Sequence, residues 1–286
     1  MKKIIYILIG LSWCLAACET DADIEIPAQD PKLVLSTFLE PGKEIQLLTL
    51  YMSDPIFDGS DIDNTTMITN ATIFISNGSK TVKFKYDFNY NGYVLVKDSM
   101  LIEHDTDYTI TTTYDGKTVS STFKTISNIA PQLGEVKFDS LLEEDPFGGS
   151  YTTYFGYVKW QDPPNEKNYY CIEMYGLIKD SNGDTSRVSL SDFYSNLYIS
   201  DEGKNGTQMN ATIEAYEYNL EWMGSSYVGF ELLLTKTDEH YYKYFKSLQN
   251  YGGDDPFSEP SLIYTNINNG LGLAGSFKPY SFKKAL

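Results

Sequence analysis

The chain has 286 residues, 42% hydrophobic and 15% aromatic, with 39 acidic against 22 basic side chains and a net charge of −17. Only one basic residue is an arginine, Arg187, and this balance excludes electrostatic capture of nucleic acid or anionic lipid. Past residue 18 no run of about 18 apolar residues offers a helical membrane span, and the 3 cysteines do not suffice for a disulfide framework.

The chain opens MKKIIYILIGLSWCLAAC. Lys2 and Lys3 precede an apolar stretch, Ile4 to Leu15, of signal-peptide length. It ends Leu15-Ala16-Ala17-Cys18, which resembles a bacterial lipobox and predicts cleavage of residues 1–17 and lipidation of Cys18. Acyl chains contribute about 0.8 kcal/mol per buried CH₂, so several on Cys18 give a firm membrane anchor. Loss of Lys2 and Lys3 with the leader takes the charge from −17 to −19. Residues 18–30 then read as an acidic leash, ETDADIEIPAQD after the cysteine. Such a stretch resembles the surface-export signal of Bacteroidota lipoproteins, and implies the outer face of the outer membrane. Cys14 leaves with the leader, so Cys171 stands alone. Its setting, NYYCIEMYGLI, predicts a small core residue rather than a reactive thiol.

From 31 to 126 strand-like runs alternate with turn dipeptides. LVLSTFL and EIQLLTLYM flank Pro41-Gly42. ATIFIS and TVKFKY flank Asn77-Gly78. Asn91-Gly92 precedes YVLV, and YTITTTY and TVSSTFKT flank Asp115-Gly116. Asn-Gly and Asp-Gly favour the positive φ angles of hairpin turns. This spacing predicts an immunoglobulin- or transthyretin-like antiparallel sandwich. Residues 127–133 carry the composition of a linker. Beyond it, TYFGYVKW, NYYCIEMYGLIK, TSRVSLS, MNATIEAYEYNL and SSYVGFELLLTK predict a second antiparallel sandwich over 134–286. Within it, 237–251 places Tyr241, Tyr244, Phe245 and Leu248 at helical spacing, with Thr237 as N-cap and Gly252-Gly253 as stop. The fold class is therefore mainly β, two antiparallel β-sandwich domains with one amphipathic helix packed on the second.

Chemistry is sparsely supplied. Asp180, Asn182 and Asp184 sit as in the start of an EF-hand loop, but Thr185 and Ser191 occupy the positions that need glycine and glutamate, so a hairpin turn is expected. The acidic loop 58–64 also reads as solvated. His104 and His240 fall in different predicted domains, and His240 is expected at the surface. No metal site, cofactor or nucleotide is expected. Paired carboxylates for glycoside hydrolysis are a spatial signature that sequence does not reveal. Trp160, Trp222 and Tyr227 are the aromatic residues considered for stacking on sugar or peptide, against a simple core role. GLGLAG, Gly270 to Gly275, matches the dinucleotide fingerprint in letters, yet too few residues follow for a βαβ unit and Pro279 is among them. A strand of the second domain is expected there, with glycines permitting close backbone approach.

The segment DPFSEPSLIYTNINNGLGLAGSF resembles the C-terminal signature of an uncharacterised family of Bacteroidota outer-membrane lipoproteins. The matching residues are Asp255, Pro256, Phe257, Glu259, Pro260, Asn266, Ile267, Gly270, Leu271, Gly272 and Phe277. PKLVLSTFLEPG, NATIFISNG, WQDPPNEKNYY and TDEHYYKYFKSLQ are similar too, so the resemblance spans nearly the whole mature chain. It departs at Ala274, where a bulkier residue is expected. The resemblance implies a surface lipoprotein that accompanies a TonB-dependent outer-membrane transporter in nutrient uptake, with no activity or catalytic residue attached. A surface glycan or peptide hydrolase and a structural or adhesive protein are the alternatives.

Overall fold

The computed structural model describes residues 30–53, 67–144, 148–191, 195–216, 226–251 and 262–285. Cys18, Trp222, Asp255, Pro256, Phe257, Glu259, Pro260, Gly252, Gly253 and the loop 58–64 lie outside them. Among the described residues no helix is long and apolar enough to cross a membrane.

Sixteen strands and one helix make up the fold among the described residues. The first half contains β1 (Leu33–Leu39), β2 (Ile45–Met52), β3 (Thr72–Ser76), β4 (Thr81–Lys83), β5 (Lys85–Asp87), β6 (Gly92–Val96), β7 (Asp107–Tyr114) and β8 (Lys117–Lys124). The second contains β9 (Gln132–Glu144), β10 (Ser150–Gln161), β11 (Tyr169–Lys179), β12 (Thr185–Ser189), β13 (Leu197–Ser200), β14 (Gln208–Tyr216), β15 (Ser226–Thr237), helix α1 (Glu239–Gln249) and β16 (Leu271–Ala285).

The turn chemistry read from the sequence acts as expected. At Asp115-Gly116 both residues take positive φ, 47° and 72°, and β7 pairs with β8 in an antiparallel hairpin. Gly42, Gly78 and Gly183 supply the left-handed residue at the β1–β2, β3–β4 and β11–β12 turns. Asp180 accepts hydrogen bonds from the backbone N–H groups of Asn182 and Asp184, both at 2.9 Å, so the EF-hand-like letters build a turn.

Alternating burial follows from the period of two in a strand. In β1 every second residue faces inward, and Leu33, Leu35 and Leu39 are buried beside Leu48, Leu50, Ile73, Ile75, Tyr108 and Ile110. This first core lies between the β4-β3-β7-β8 sheet and the β1-β2-β6-β5 end of a larger sheet. The second core gathers Val158, Trp160, Tyr170, Ile172, Met174, Ile213, Leu232 and Leu234, between the β14-β10-β9 sheet and the β11–β15 end of the same larger sheet. Each such side chain contributes about 1.5–3 kcal/mol on leaving water.

The two cores share one nine-stranded sheet, and β16 is the strand that joins its two ends. Residues 271–276 pair with β1, Leu271 opposite Val34 through Ser276 opposite Leu39. Residues 277–285 pair with β15, Phe277 opposite Thr237 through Ala285 opposite Gly229. The first pairing is parallel, unlike every other strand pair among the described residues, a sense that the long connection from β1 to β16 permits and a tight hairpin does not. Leu271 to Gly275 is thus a strand entered from a turn at Asn269-Gly270, and its partner is the first core's β1, not a strand of the second sandwich. Close approach explains the glycines. Gly272 has φ +99°, and a Cβ there would lie 2.1 Å from the Leu35 carbonyl oxygen.

Helix α1 starts one residue later than the sequence predicts, with Asp238 and not Thr237 as its N-cap. Thr237 is locked in the β15–β16 ladder, so the first free extended residue is Asp238, with φ −79° and ψ 172°, and its carboxylate caps the Tyr241 N–H at 2.7 Å. Asn250 ends the helix. The aromatic stripe packs on more than the second sandwich. Tyr241 and Phe245 meet Phe38 of β1 at 5.4 and 5.7 Å, Tyr241 meets Phe277 at 6.3 Å, and Phe245 stacks on Tyr198 of β13 at 5.6 Å.

Gly272→Ala is expected to destabilise the fold by about 3 kcal/mol or more, since it combines a disfavoured φ with a backbone clash. Urea unfolding of the purified variant checks this; a change within about 0.5 kcal/mol of the parent would show that β1 and β16 do not approach so closely.

Candidate functional site

The site forms where the cores join, and its first element is Ser276, a fully buried residue of β16. Its N–H donates to Asp238 Oδ2 at 2.8 Å, its carbonyl accepts from the Asp238 N–H at 2.9 Å, and its Oγ accepts from the Ile126 N–H at 3.3 Å. One residue therefore ties the end of the first sandwich, the start of α1 and the shared strand.

Two neighbouring residues continue this pattern. Asn266 clamps Ala274, accepting from its N–H at 3.0 Å and donating to its carbonyl at 2.7 Å, and Thr265 Oγ1 donates to the Gly272 carbonyl at 2.8 Å. Positions 272, 274 and 276 of β16 thus have their second edge satisfied by Thr265, Asn266 and Asp238 side chains. A buried strand edge needs such partners, because an unpaired peptide group away from water is costly. Ile267 lies in the first core, and Ala274, where the family resemblance implies a larger side chain, is fully buried there.

A second tie runs through Lys236. Its ammonium is buried and donates to Ser127 Oγ at 2.7 Å, the Ile129 carbonyl at 2.9 Å and Glu166 Oε1 at 2.8 Å. All three ammonium hydrogens have an acceptor, which is what a buried charge requires. The 127–133 segment is thereby held against the second sandwich.

Around these ties lies a polar cleft with two lobes. The first, about 310 Å³, takes Asp105, Lys124 and Ser127 from one side and Glu166, Lys236 and His240 from the other. The second, about 410 Å³, is lined by Ser200, Asp201, Glu202, Asn205, Tyr242 and Lys243 among others. Lys167, Tyr169 and Glu239 border both. The Tyr169 and Tyr242 rings stand 5.0 Å apart at an angle of 34°. A separate apolar groove of about 610 Å³ lies along β1 and β2 beside Phe38, Leu47, Tyr90 and Phe277.

The charges of the cleft are largely matched. Glu239 pairs with Lys243 at 3.0 Å and Asp105 with Lys124 at 3.5 Å. Burial pushes the Tyr169 hydroxyl up to about 12, with the Glu239 carboxylate and its hydrogen bond adding to the shift. Burial lowers the His240 imidazole, whose Nδ1 lies 2.6 Å from the Tyr264 hydroxyl, so His240 is half-buried and partnered instead of lying free at the surface. Burial pushes the Asp238 carboxyl up to about 7, against the pull of backbone N–H groups of Tyr241, Ser276 and His240. Among the described residues no three His, Cys, Asp or Glu side chains are arranged to hold a metal.

Of the aromatic residues singled out in sequence, Trp160 and Tyr227 are described, and both pack with the second core. Trp160 is fully buried and meets Tyr170 edge-on at 5.1 Å, so it fills the second core and offers no face to a ligand. Tyr227 packs near Phe230 and Tyr154, 6.1 and 5.8 Å between centroids, and against Gly176. Cys171 is buried, with its thiol raised by desolvation. Tyr169 and Tyr242, which do reach a cleft, are hidden in sequence among 24 tyrosines.

The model of one protein family, described as a domain of unknown function (DUF4249), matches residues 19–283. Among proteins with curated descriptions none matches the sequence. Solved structures similar to this chain include a two-domain fibronectin type III segment from chicken tenascin, at 11% identity and a TM-score of 0.20, over 90% of this chain and 100% of that one. The BSP domain of a biofilm associated protein is similar at 9% identity and a TM-score of 0.20, covering 91% of this chain and 62% of its own. The B domain of a biofilm associated protein is similar at 10% identity and a TM-score of 0.19, covering 86% and 85%.

Asp238 generates a pH prediction. A carboxyl raised in the fold from 3.8 to about 7 binds its proton more tightly there than in the unfolded chain, so its stabilising share is full below about pH 4 and is lost as pH rises through 7. The stability gap between the parent and Asp238→Ala should therefore narrow from about pH 4 to about pH 7.5, read by urea midpoints. His240 works in the opposite sense in both proteins and drops out of the difference. A gap that widens with pH would mean that the N–H donors outweigh burial.

Proposed function

The chain belongs to the DUF4249 family, and from that premise we propose that it is a surface-tethered outer-membrane lipoprotein, a non-catalytic binding or accessory component of a TonB-dependent nutrient-uptake system. The tether reading rests on Leu15-Ala16-Ala17-Cys18 and the acidic residues that follow. Lipid on Cys18 gives attachment to the membrane, and the acidic leash implies the outward leaflet.

The binding reading is carried by one observation, the two-lobed cleft whose smaller lobe lies across the junction of the cores and whose larger lobe is lined by second-half residues. Its lobes of about 310 and 410 Å³ are of the size of small-molecule sites, roughly 300–1,000 Å³. Binding is favoured over hydrolysis by the engagement of the cleft's carboxylates. Glu166 is tied to Lys236, Glu239 to Lys243 and Asp238 to backbone N–H groups. In the larger lobe Asp201 accepts from the Asn168 amide at 3.5 Å, which leaves Glu202 as the one lining carboxylate with no such tie, whereas glycoside hydrolysis needs a pair.

Affinity-tagged protein expressed in its native cell and purified from detergent-solubilised outer membranes should bring a TonB-dependent transporter with it, detected by mass spectrometry. The Cys18→Ala variant should shift from the membrane pellet to the soluble fraction. Repeated recovery of the lipidated protein without a transporter would count against the accessory role.

A further inference from the structure

We infer that the larger lobe of the cleft is a saccharide subsite, with the Tyr169 and Tyr242 rings as its apolar wall. The inference rests on the binding reading above and names the ligand class of that same site.

Sugars present two surfaces, a patch of C–H groups that packs on aromatic rings and a rim of hydroxyls that donate and accept hydrogen bonds. The lobe offers counterparts to both. Tyr169 and Tyr242 are each half-buried and stand 5.0 Å apart, tilted by 34°. Tyr169 is pinned from two directions, by its place on β11 and by the hydrogen bond of its hydroxyl to Glu239. Tyr242 is fixed on α1, one turn after the Asp238 cap, to whose carbonyl its N–H donates at 3.2 Å. A wall held this way loses little conformational freedom when a ligand arrives.

Beside the rings the lobe is lined by Ser200, the end of β13 and ladder partner of Tyr169, and by Asp201 and Glu202 of the turn that follows. These are short oxygen-bearing groups suited to a polyol. Asp201 is buried, with its carboxyl raised by desolvation, and lies 3.5 Å from the Asn168 amide. The turn is itself braced: the Gly206 N–H donates to Asp162 at 2.8 Å, and Asn205 Nδ2 donates to the Glu166 carbonyl at 2.7 Å. The donors and acceptors that would read hydroxyls therefore sit on a supported loop.

Charge separates this class from its rivals. Lys243 is occupied by Glu239, and Lys167 stands against Asp201 and Glu202, a small acidic excess in which Asp201, its carboxyl raised by desolvation, is already held by the Asn168 amide. A phosphate or a cation would need a field of one sign. A neutral polyhydroxyl ligand needs only mixed polar groups and an aromatic face.

Saturation-transfer NMR on the full mature chain with maltose, cellobiose, xylobiose and the dipeptide Ala-Ala tests the inference. At least one disaccharide should show transfer to its ring C–H protons. Its dissociation constant should rise about tenfold in Tyr242→Ala and severalfold in Glu202→Gln, and stay unchanged in Tyr216→Ala, an exposed tyrosine outside the cleft. Tyr242→Ala replaces a helix residue by a better helix former, and its unfolding midpoint checks that it folds. Transfer to Ala-Ala alone would overturn the saccharide class in favour of a zwitterion. Silence from all four probes, or saccharide binding indifferent to Tyr242→Ala, would overturn it as well. Transporter recovery with Tyr242→Ala keeps the two readings apart: a transporter retained without any saccharide signal sinks only the ligand class, whereas saccharide binding without a transporter sinks only the accessory role.

Discussion

The structure depends on a single strand that serves two cores. Residues 271–276 of β16 complete the sheet beneath the first core, and residues 277–285 complete the sheet beneath the second. At the changeover sits Ser276, whose three polar atoms bind Asp238 and Ile126. The junction is held by backbone pairing, by side chains that stand in for a missing strand, and by one buried ammonium, Lys236. Ser276 and Lys236 are buried, so removal of one of their partners leaves an unsatisfied polar atom, at a cost of about 1–3 kcal/mol apiece.

The cleft is a consequence of this joining. Two sandwiches that share one sheet leave a re-entrant surface where they meet, and α1 forms one wall of it. The helix is placed there by its N-cap, which is also the residue that binds Ser276. Positioning of Tyr242 and Glu239 is thus inherited from the same hydrogen bonds that hold the cores together. A ligand held by both lobes would tighten the junction by mass action.

Local features are legible in the sequence, and distant ones are not. Asp115-Gly116 and Pro41-Gly42 announce their hairpins because turn geometry is set by the residues in the turn. The Tyr241–Phe245–Leu248 spacing announces a helix for the same reason. The parallel pairing of β1 with β16 joins residues more than 200 positions apart, and no local pattern encodes it. That pairing carries GLGLAG into the first core and draws α1 across the junction. The N-cap falls on Asp238 rather than Thr237 because a tertiary ladder overrides the local signal. Trp160 is ambiguous in sequence between core and platform, since its neighbours alternate as in any half-buried strand; only the facing sheet decides that it is enclosed. Tyr169 and Tyr242 carry no sequence mark, because a cleft between elements is a property of their packing.

By serving both cores, β16 makes the two sandwiches one cooperative unit. Hydrogen exchange measured by mass spectrometry across a urea series tests it most directly, comparing peptides from β7–β8 in the first core with peptides from β10–β11 in the second. Both should show the same opening free energy and the same urea dependence, with all of β16 exchanging alongside them. Two separate openings, with residues 271–276 following one core and 277–285 the other, would contradict it.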